Sequence, residues 1–345
     1  MQAVLCTGAG AIRVASVPAP SLPGADWVKV RVEAAGLCGS DLHKLLRAWP
    51  PPGYLQTDIL CHEIAGRVVE CGEQVHNVVP GEWVAVEPLI PCRRCERCRS
   101  GQHQLCPGLR CLGRNMPGGF AEYVCAPASC LAPLPAGLSF EEGAMADLVA
   151  VAVHCLNLAC PVGNGWHAAI IGDGPLGLIT AQVARAFGAG RVDLVGKHDV
   201  PLRLAAAHGF ADTVPGSPVG SGLKNCFDLV VEAVGGSQTD TLAQAIELAA
   251  PGGTVAVMGV YEFGYTGPMP LRQAFAKELR LVGCNSYGVA EGVREFETAL
   301  ALMAQGKVNT LPLITHRLPL RRFPDAIELA RHRDTSGLIK VVLTP

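Results

Sequence analysis

Three textures of apolar and polar positions follow one another along the chain. Up to about residue 150 the apolar residues come in short alternating or β-branched runs, WVKVRVEAAG, EIAGRVVECG and EWVAVEP, punctuated by Gly and Pro. Alternation with period two puts one face of a strand on a core and the other in water, so this stretch predicts a β-rich, barrel-like unit with many turns. From about residue 164 the runs WHAAIIG, RVDLVG, FDLVVEAVG, GTVAVMGV and LRLVGCN lose that alternation, and helical patterns such as PLGLITAQVARAFGA lie between them. Strands apolar on both faces predict a parallel sheet covered by helices on either side. After about residue 285, EGVREFETALALMAQGKV predicts an amphipathic helix and LIKVVLTP a closing strand, in a texture nearer the first region than the second. The expected architecture is α/β: a β-rich unit at 1–152 completed by 286–345, with a doubly wound unit at 153–285 inserted into it.

Composition narrows the class. A chain of 345 residues is too long for one ordinary core, and 49% apolar with 17% charged residues suits a soluble globular enzyme. A formal net charge of −2 gives no general attraction to nucleic acid or to an anionic membrane. The start, MQAVLCTGAGAIRV, has no basic segment followed by an apolar one, and no window reaches the roughly 18 uncharged apolar residues of a membrane span. The expected address is the cytoplasm. Fifteen cysteines without an export signal point to metal ligands and core fillers rather than disulfides. Cys6, Cys71, Cys125, Cys130, Cys155, Cys160 and Cys226, among small or apolar neighbours, are expected to pack as small hydrophobes.

Candidate chemistry lies in three places. The first is Gly172-x-Gly174-x-x-Gly177, with Pro175 and Leu176 inside it, between an expected strand and an expected helix. Glycines there permit a tight turn and let a pyrophosphate approach the helix N-terminus, whose free N–H groups favour anions. An NAD site is expected to end the next strand with Asp or Glu. Here that strand ends at Gly196, followed by Lys197 and His198, which leaves room and positive charge for a 2′-phosphate and favours NADP(H) over NAD(H).

The second is PCRRCERCRSGQHQLCP, where Cys92, Cys95, Cys98 and Cys106 stand at spacings x2, x2 and x7. Iron–sulfur runs of this kind place the last cysteine after x3, so a closed tetrahedral zinc site fits better. Four thiolates around one Zn2+ leave about two net negative charges, which Arg93, Arg94, Arg97 and Arg99 offset. With every position filled by protein, this knot is structural. The third place is a scatter of ligand types: Cys38, Ser40, Asp41 and His43 in a loop after a strand, Cys61, His62 and Glu63, and Asp147. Thiolate, imidazole and carboxylate together bind zinc and leave the open position that Lewis-acid catalysis requires.

In these motifs the chain resembles the zinc-containing medium-chain dehydrogenase/reductase family of alcohol, polyol and threonine dehydrogenases. GLCGSDLH, LCHEIAGRVVECG, PGEWVAVEP, CRRCERCRSGQHQLC, GGFAEYV and GDGPLG occur in the family's order across essentially the whole length. The resemblance implies a GroES-like catalytic domain interrupted by a Rossmann domain, and two zinc ions per chain, one catalytic and one structural. It implies Cys38, His62 and Asp147 as catalytic-zinc ligands, with Glu63 a transient ligand or a support for one. It also implies Ser40 as the first acceptor of the substrate's proton and His43 as its relay. Cys61 departs from the family, which usually has Gly before the His–Glu pair; a thiol there either competes for metal or narrows the pocket. PVGNGWHAAIIG is a second departure, with the glycine pattern intact.

The activity expected is hydride transfer between NADP(H) and a polar secondary alcohol or ketone: a polyol, sugar, aminocyclitol or amino alcohol. The alternatives are an NAD-dependent catabolic polyol or threonine dehydrogenase and, outside enzymes, a nucleotide-binding sensor or structural relative. Joint retention of Cys38, Ser40, His43, His62 and Asp147 argues against the last. Pocket walls are expected from RAWPPPGYL, with Trp49 or Tyr54, and from around Asn285. LRLVGCN at a sheet edge is expected to join copies into a homodimer or homotetramer.

Overall fold

The computed structural model describes residues 1–7, 11–46, 55–218 and 222–345. Trp49 and Tyr54 lie outside the described residues. The chain divides into two compact units, one of residues 1–147, 288–304 and 310–345, the other of residues 148–287 and 305–309.

In the first unit the strand Trp27–Gly36 is the hub. Val28, Val30 and Val32 turn inward and Arg31 outward, as the alternating sequence requires. It pairs antiparallel with Glu63–Cys71, with Tyr123–Pro127 and with the last strand of the chain, Lys340–Thr344. Trp83–Val86, Leu131–Pro133 and Ile314–Pro319 extend the sheet to seven strands. Its core gathers Val30, Ile64, Val68, Phe120, Leu131 and Phe323, with the rings of Phe120 and Phe323 edge to face at 4.8 Å. The C-terminal segment therefore returns to the N-terminal sheet.

The second unit is a six-stranded parallel sheet. Numbered in chain order, His167–Ile171, Arg191–Gly196, Asp212–Pro215, Phe227–Glu232, Ala249–Val257 and Arg280–Gly283 lie side by side as 3-2-1-4-5-6. This is the doubly wound dinucleotide-binding order, whose ligand crevice opens where strands 1 and 4 diverge. Strand 3, DTVP, is short and carries no apolar run, so the sequence pattern did not reveal it.

Helix Phe140–Ala159 contains the point in the chain, between Asp147 and Leu148, where the first unit gives way to the second. A capping box starts it: Ser139 Oγ accepts the Glu142 N–H (3.3 Å) and the Glu142 carboxylate accepts the Ser139 N–H (2.8 Å). Its length and composition would allow it to cross a membrane, but its apolar window is 78% buried within the protein, as in a core helix. Of the cysteines expected in cores, Cys6, Cys125, Cys130 and Cys155 are buried and Cys71 and Cys160 partly so, whereas Cys226 is exposed. Cys226 comes just before a buried strand rather than in it, and its thiol turns back to the Gly222 and Lys224 carbonyls.

Candidate active site

The strand pairing assembles one cluster. Trp27–Gly36 ends two residues before Cys38, and Glu63–Cys71 begins directly after His62, with Gly36 opposite Glu63. That register sets the cysteine beyond one strand against the histidine before the other. Ligand atoms of Cys38, His62 and Glu63 all lie within 4.8 Å of one another. Ser40, Asp41 and His43 do not sit in a loop as expected; they belong to helix Gly39–Leu46, where Ser40 and His43 share a face one turn apart.

Asp41 is fully buried and stands 3.8 Å from Nδ1 of His62, beyond hydrogen-bond reach but within range to act on the ring through its charge. Burial disfavours a charged His62, but Cys38, Asp41 and Asp147 outweigh it and hold the imidazole pKa well above the ordinary range. The surroundings thus favour positive charge at this point. The Glu63 carboxylate is buried with its Oε2 paired to Lys340, and among the described residues its Oε1 accepts no hydrogen bond. Thiolate, imidazole and an under-satisfied carboxylate in an environment that attracts cations fit a zinc ion. Asp147, buried in helix Phe140–Ala159, acts on His62 through its charge but is outside the tight grouping, in which Glu63 stands instead.

Cys61 has a left-handed backbone (φ 81°), the conformation that suits glycine and explains the residue usual at this position. Its buried thiol donates toward the carbonyls of Glu63 (3.3 Å) and Gly36 (3.5 Å), away from the ligand grouping. Two neighbours of the cluster escaped pattern reading: Lys340, paired with Glu63, and Cys111, on which His62 and Asp147 act.

The four-cysteine knot is also assembled. Sγ–Sγ separations of 3.4 Å (Cys95–Cys98), 3.9 Å (Cys92–Cys98) and 3.9 Å (Cys95–Cys106) approach the ~3.8 Å edge of a tetrahedron with zinc–sulfur arms of about 2.3 Å. Arg93 is directed to the Ser129 carbonyl and Arg97 to Gln102, so neither guanidinium is committed to the sulfurs. Cys95→Ser is expected to lower the unfolding midpoint and remove one zinc per chain, with little change in kcat per folded molecule. Lost activity at an unchanged melting temperature would contradict a structural role.

In the nucleotide-binding unit, Gly172 (φ 123°) turns out of strand 1 and Pro175 opens helix Pro175–Ala186. A Cβ on Gly177 would overlap the Gly172 carbonyl, the close approach that the third glycine exists to allow. Strand 2 ends at the buried Gly196, followed by exposed Lys197 and half-buried His198, which stands at the N-terminal boundary of helix Asp199–Ala207 without a side-chain cap bond.

This fold and these clusters define a zinc-binding, nucleotide-dependent dehydrogenase. Residues 24–136 match the alcohol dehydrogenase GroES-like domain and residues 175–305 the zinc-binding dehydrogenase domain. Sorbitol dehydrogenase 1 of Saccharomyces cerevisiae is 33% identical over 99% of this chain and 97% of its own. Galactitol 1-phosphate 5-dehydrogenase of Escherichia coli K12 is 30% identical over the full length of both. A Sinorhizobium meliloti 1021 protein solved bound to NADP superposes with a TM-score of 0.86 at 33% identity, covering 100% of this chain and 99% of that one. The chain belongs to the zinc-containing medium-chain dehydrogenase/reductase family and is an NAD(P)-dependent alcohol dehydrogenase.

Proposed function

We propose that this enzyme transfers hydride between NADP(H) and the secondary hydroxyl or keto carbon of a polar substrate, such as a polyol, sugar, aminocyclitol or amino alcohol, with ketone reduction as its biosynthetic direction. The observation that carries the reading is the close grouping of Cys38, His62 and Glu63, in a chain whose dinucleotide sheet ends its second strand in Gly196-Lys197-His198. Cys38 and His62 would hold the catalytic zinc together with an acid, Asp147 or Glu63, and Cys92, Cys95, Cys98 and Cys106 a second, structural one. Bound zinc supplies Lewis acidity toward the substrate oxygen, and the nicotinamide supplies or accepts hydride.

The chain's own groups do the rest. Asp41 adds its negative charge beside His62. Ser40 Oγ takes the substrate's hydroxyl proton in the oxidative direction, and His43, one turn on, carries it outward. Gly172, Gly174, Leu176 and Gly177 let the pyrophosphate reach the helix N-terminus. Lys197 and His198 receive the 2′-phosphate. Arg114 and the acids around His62 suit a polar rather than a hydrocarbon substrate. A soluble, cytoplasmic homodimer or homotetramer fits the edge strand Arg280–Gly283, whose Leu281 is exposed.

The names of the yeast and E. coli relatives favour a second reading, oxidation of a polyol. A panel of polar ketones and alcohols assayed with NADPH, NADP, NADH and NAD separates the two. The expected result is a kcat/KM at least about tenfold higher with the phosphorylated cofactor, the effect of one charge-assisted contact, and two zincs per chain by metal analysis. Comparable Michaelis constants for NAD and NADP would overturn the cofactor preference, and a single zinc the catalytic site.

A further inference from the structure

Within the glycine turn stands a carboxylate that the G-x-G-x-x-G pattern does not call for. Asp173, between Gly172 and Gly174, is 5% exposed, and its side chain crosses from the end of strand 1 to the end of strand 2. There Oδ2 accepts the backbone N–H of Lys197 and of His198, each at 2.7 Å. Nδ1 of His198 lies 2.8 Å from Oδ1 and 2.9 Å from Oδ2. This arrangement accounts for Gly196: a Cβ at that position would overlap the Asp173 side chain, so the acid that holds the ribose of NAD cannot stand there while Asp173 occupies the space.

The bond to Nδ1 has a chemical consequence. Nδ1 faces the carboxylate, which fixes the ring orientation and turns the Nε2 edge away from Asp173. The ring, 31% exposed at its side chain and next to the exposed Lys197, is placed to meet a phosphomonoester at the end of strand 2.

We infer that Asp173 is a positioning residue for cofactor choice: it fixes the turn at residues 196–198 and sets the orientation of His198 toward the 2′-phosphate, which Asp173 itself does not touch. The inference rests on the NADP(H) reading above. A carboxylate that merely stood near the phosphate would repel it and favour NAD, so the two roles predict opposite signs.

Calorimetric titration with 2′,5′-ADP and 5′-AMP, fragments without the nicotinamide, reads binding independently of zinc and turnover. Wild type is expected to prefer 2′,5′-ADP. Asp173→Asn should weaken 2′,5′-ADP about tenfold, the scale of one charge-assisted hydrogen bond, and leave 5′-AMP unchanged. His198→Ala should lose the same discrimination, and the double variant no more than either single one. A tighter 2′,5′-ADP complex in Asp173→Asn, or equal weakening of both fragments, overturns the positioning role alone. Wild type binding both fragments alike overturns the NADP(H) reading and this role together. Should Asp173→Asn not fold, His198→Ala decides, since undiminished discrimination there leaves Asp173 nothing to position.

Discussion

Cys38→Ser and His62→Ala are each expected to reduce turnover by at least about a thousandfold while leaving the protein folded. Lewis-acid stabilisation is worth several kcal/mol of barrier, and each ~1.4 kcal/mol is a factor of ten in rate. Cys38 and His62 contribute two of the three atoms in the tight grouping, so removal of either leaves too few ligands to retain a metal with an open position. Neither is a core-packing residue: both are only partly buried, at the ends of strands rather than within them. Stability should therefore change by no more than about 1 kcal/mol. Steady-state kcat, zinc content and denaturant midpoint measured on one preparation provide the check. Substantial turnover in a variant shown to have lost one zinc would remove the catalytic assignment.

Lys340→Met carries the second large effect, on stability. Lys340 and Glu63 form an ion pair with side chains 2% and 0% exposed, and Lys340 also donates to the Leu37 carbonyl at 3.0 Å. Burial disfavours a charged Lys340, and the Glu63 carboxylate more than compensates, holding its pKa above the usual value. Removing one member of such a pair strands a charge in the interior and costs about 3–5 kcal/mol. A lower denaturant midpoint at unchanged slope is the expected signature. The double variant Lys340→Met, Glu63→Gln should recover part of the loss, because no full charge then remains buried. A single variant as stable as wild type would mean that Glu63 is not held as an ion.

What the sequence made legible divides along physical lines. The nucleotide unit was readable because both faces of its strands are covered, which writes them as unbroken apolar runs. The cysteine knot was readable because all four ligands fall within fifteen consecutive residues, 92–106. The tight grouping of Glu63 with Cys38 and His62 was not, since strand register, and not spacing, brings those three side chains together. Asp173 filled a variable position in the glycine pattern, and its reach to residue 198 crosses two strands. A clue was present nonetheless: a carboxylate where a phosphate is expected demands local donors. Lys340 offered a similar clue, as a lone cation in the apolar run LIKVVL needs a buried partner.

The pairing of Lys340–Thr344 with Trp27–Gly36 orders events during synthesis. Residues 148–287 can complete their sheet while the ribosome is still translating, because every strand of it lies within that interval. The first 147 residues cannot, although they emerge earlier. Until residues 340–344 have emerged, the Ala35–Gly36 end of their hub strand keeps an open edge and Glu63 lacks Lys340 as its counter-ion. The metal-binding half thus emerges first and closes last.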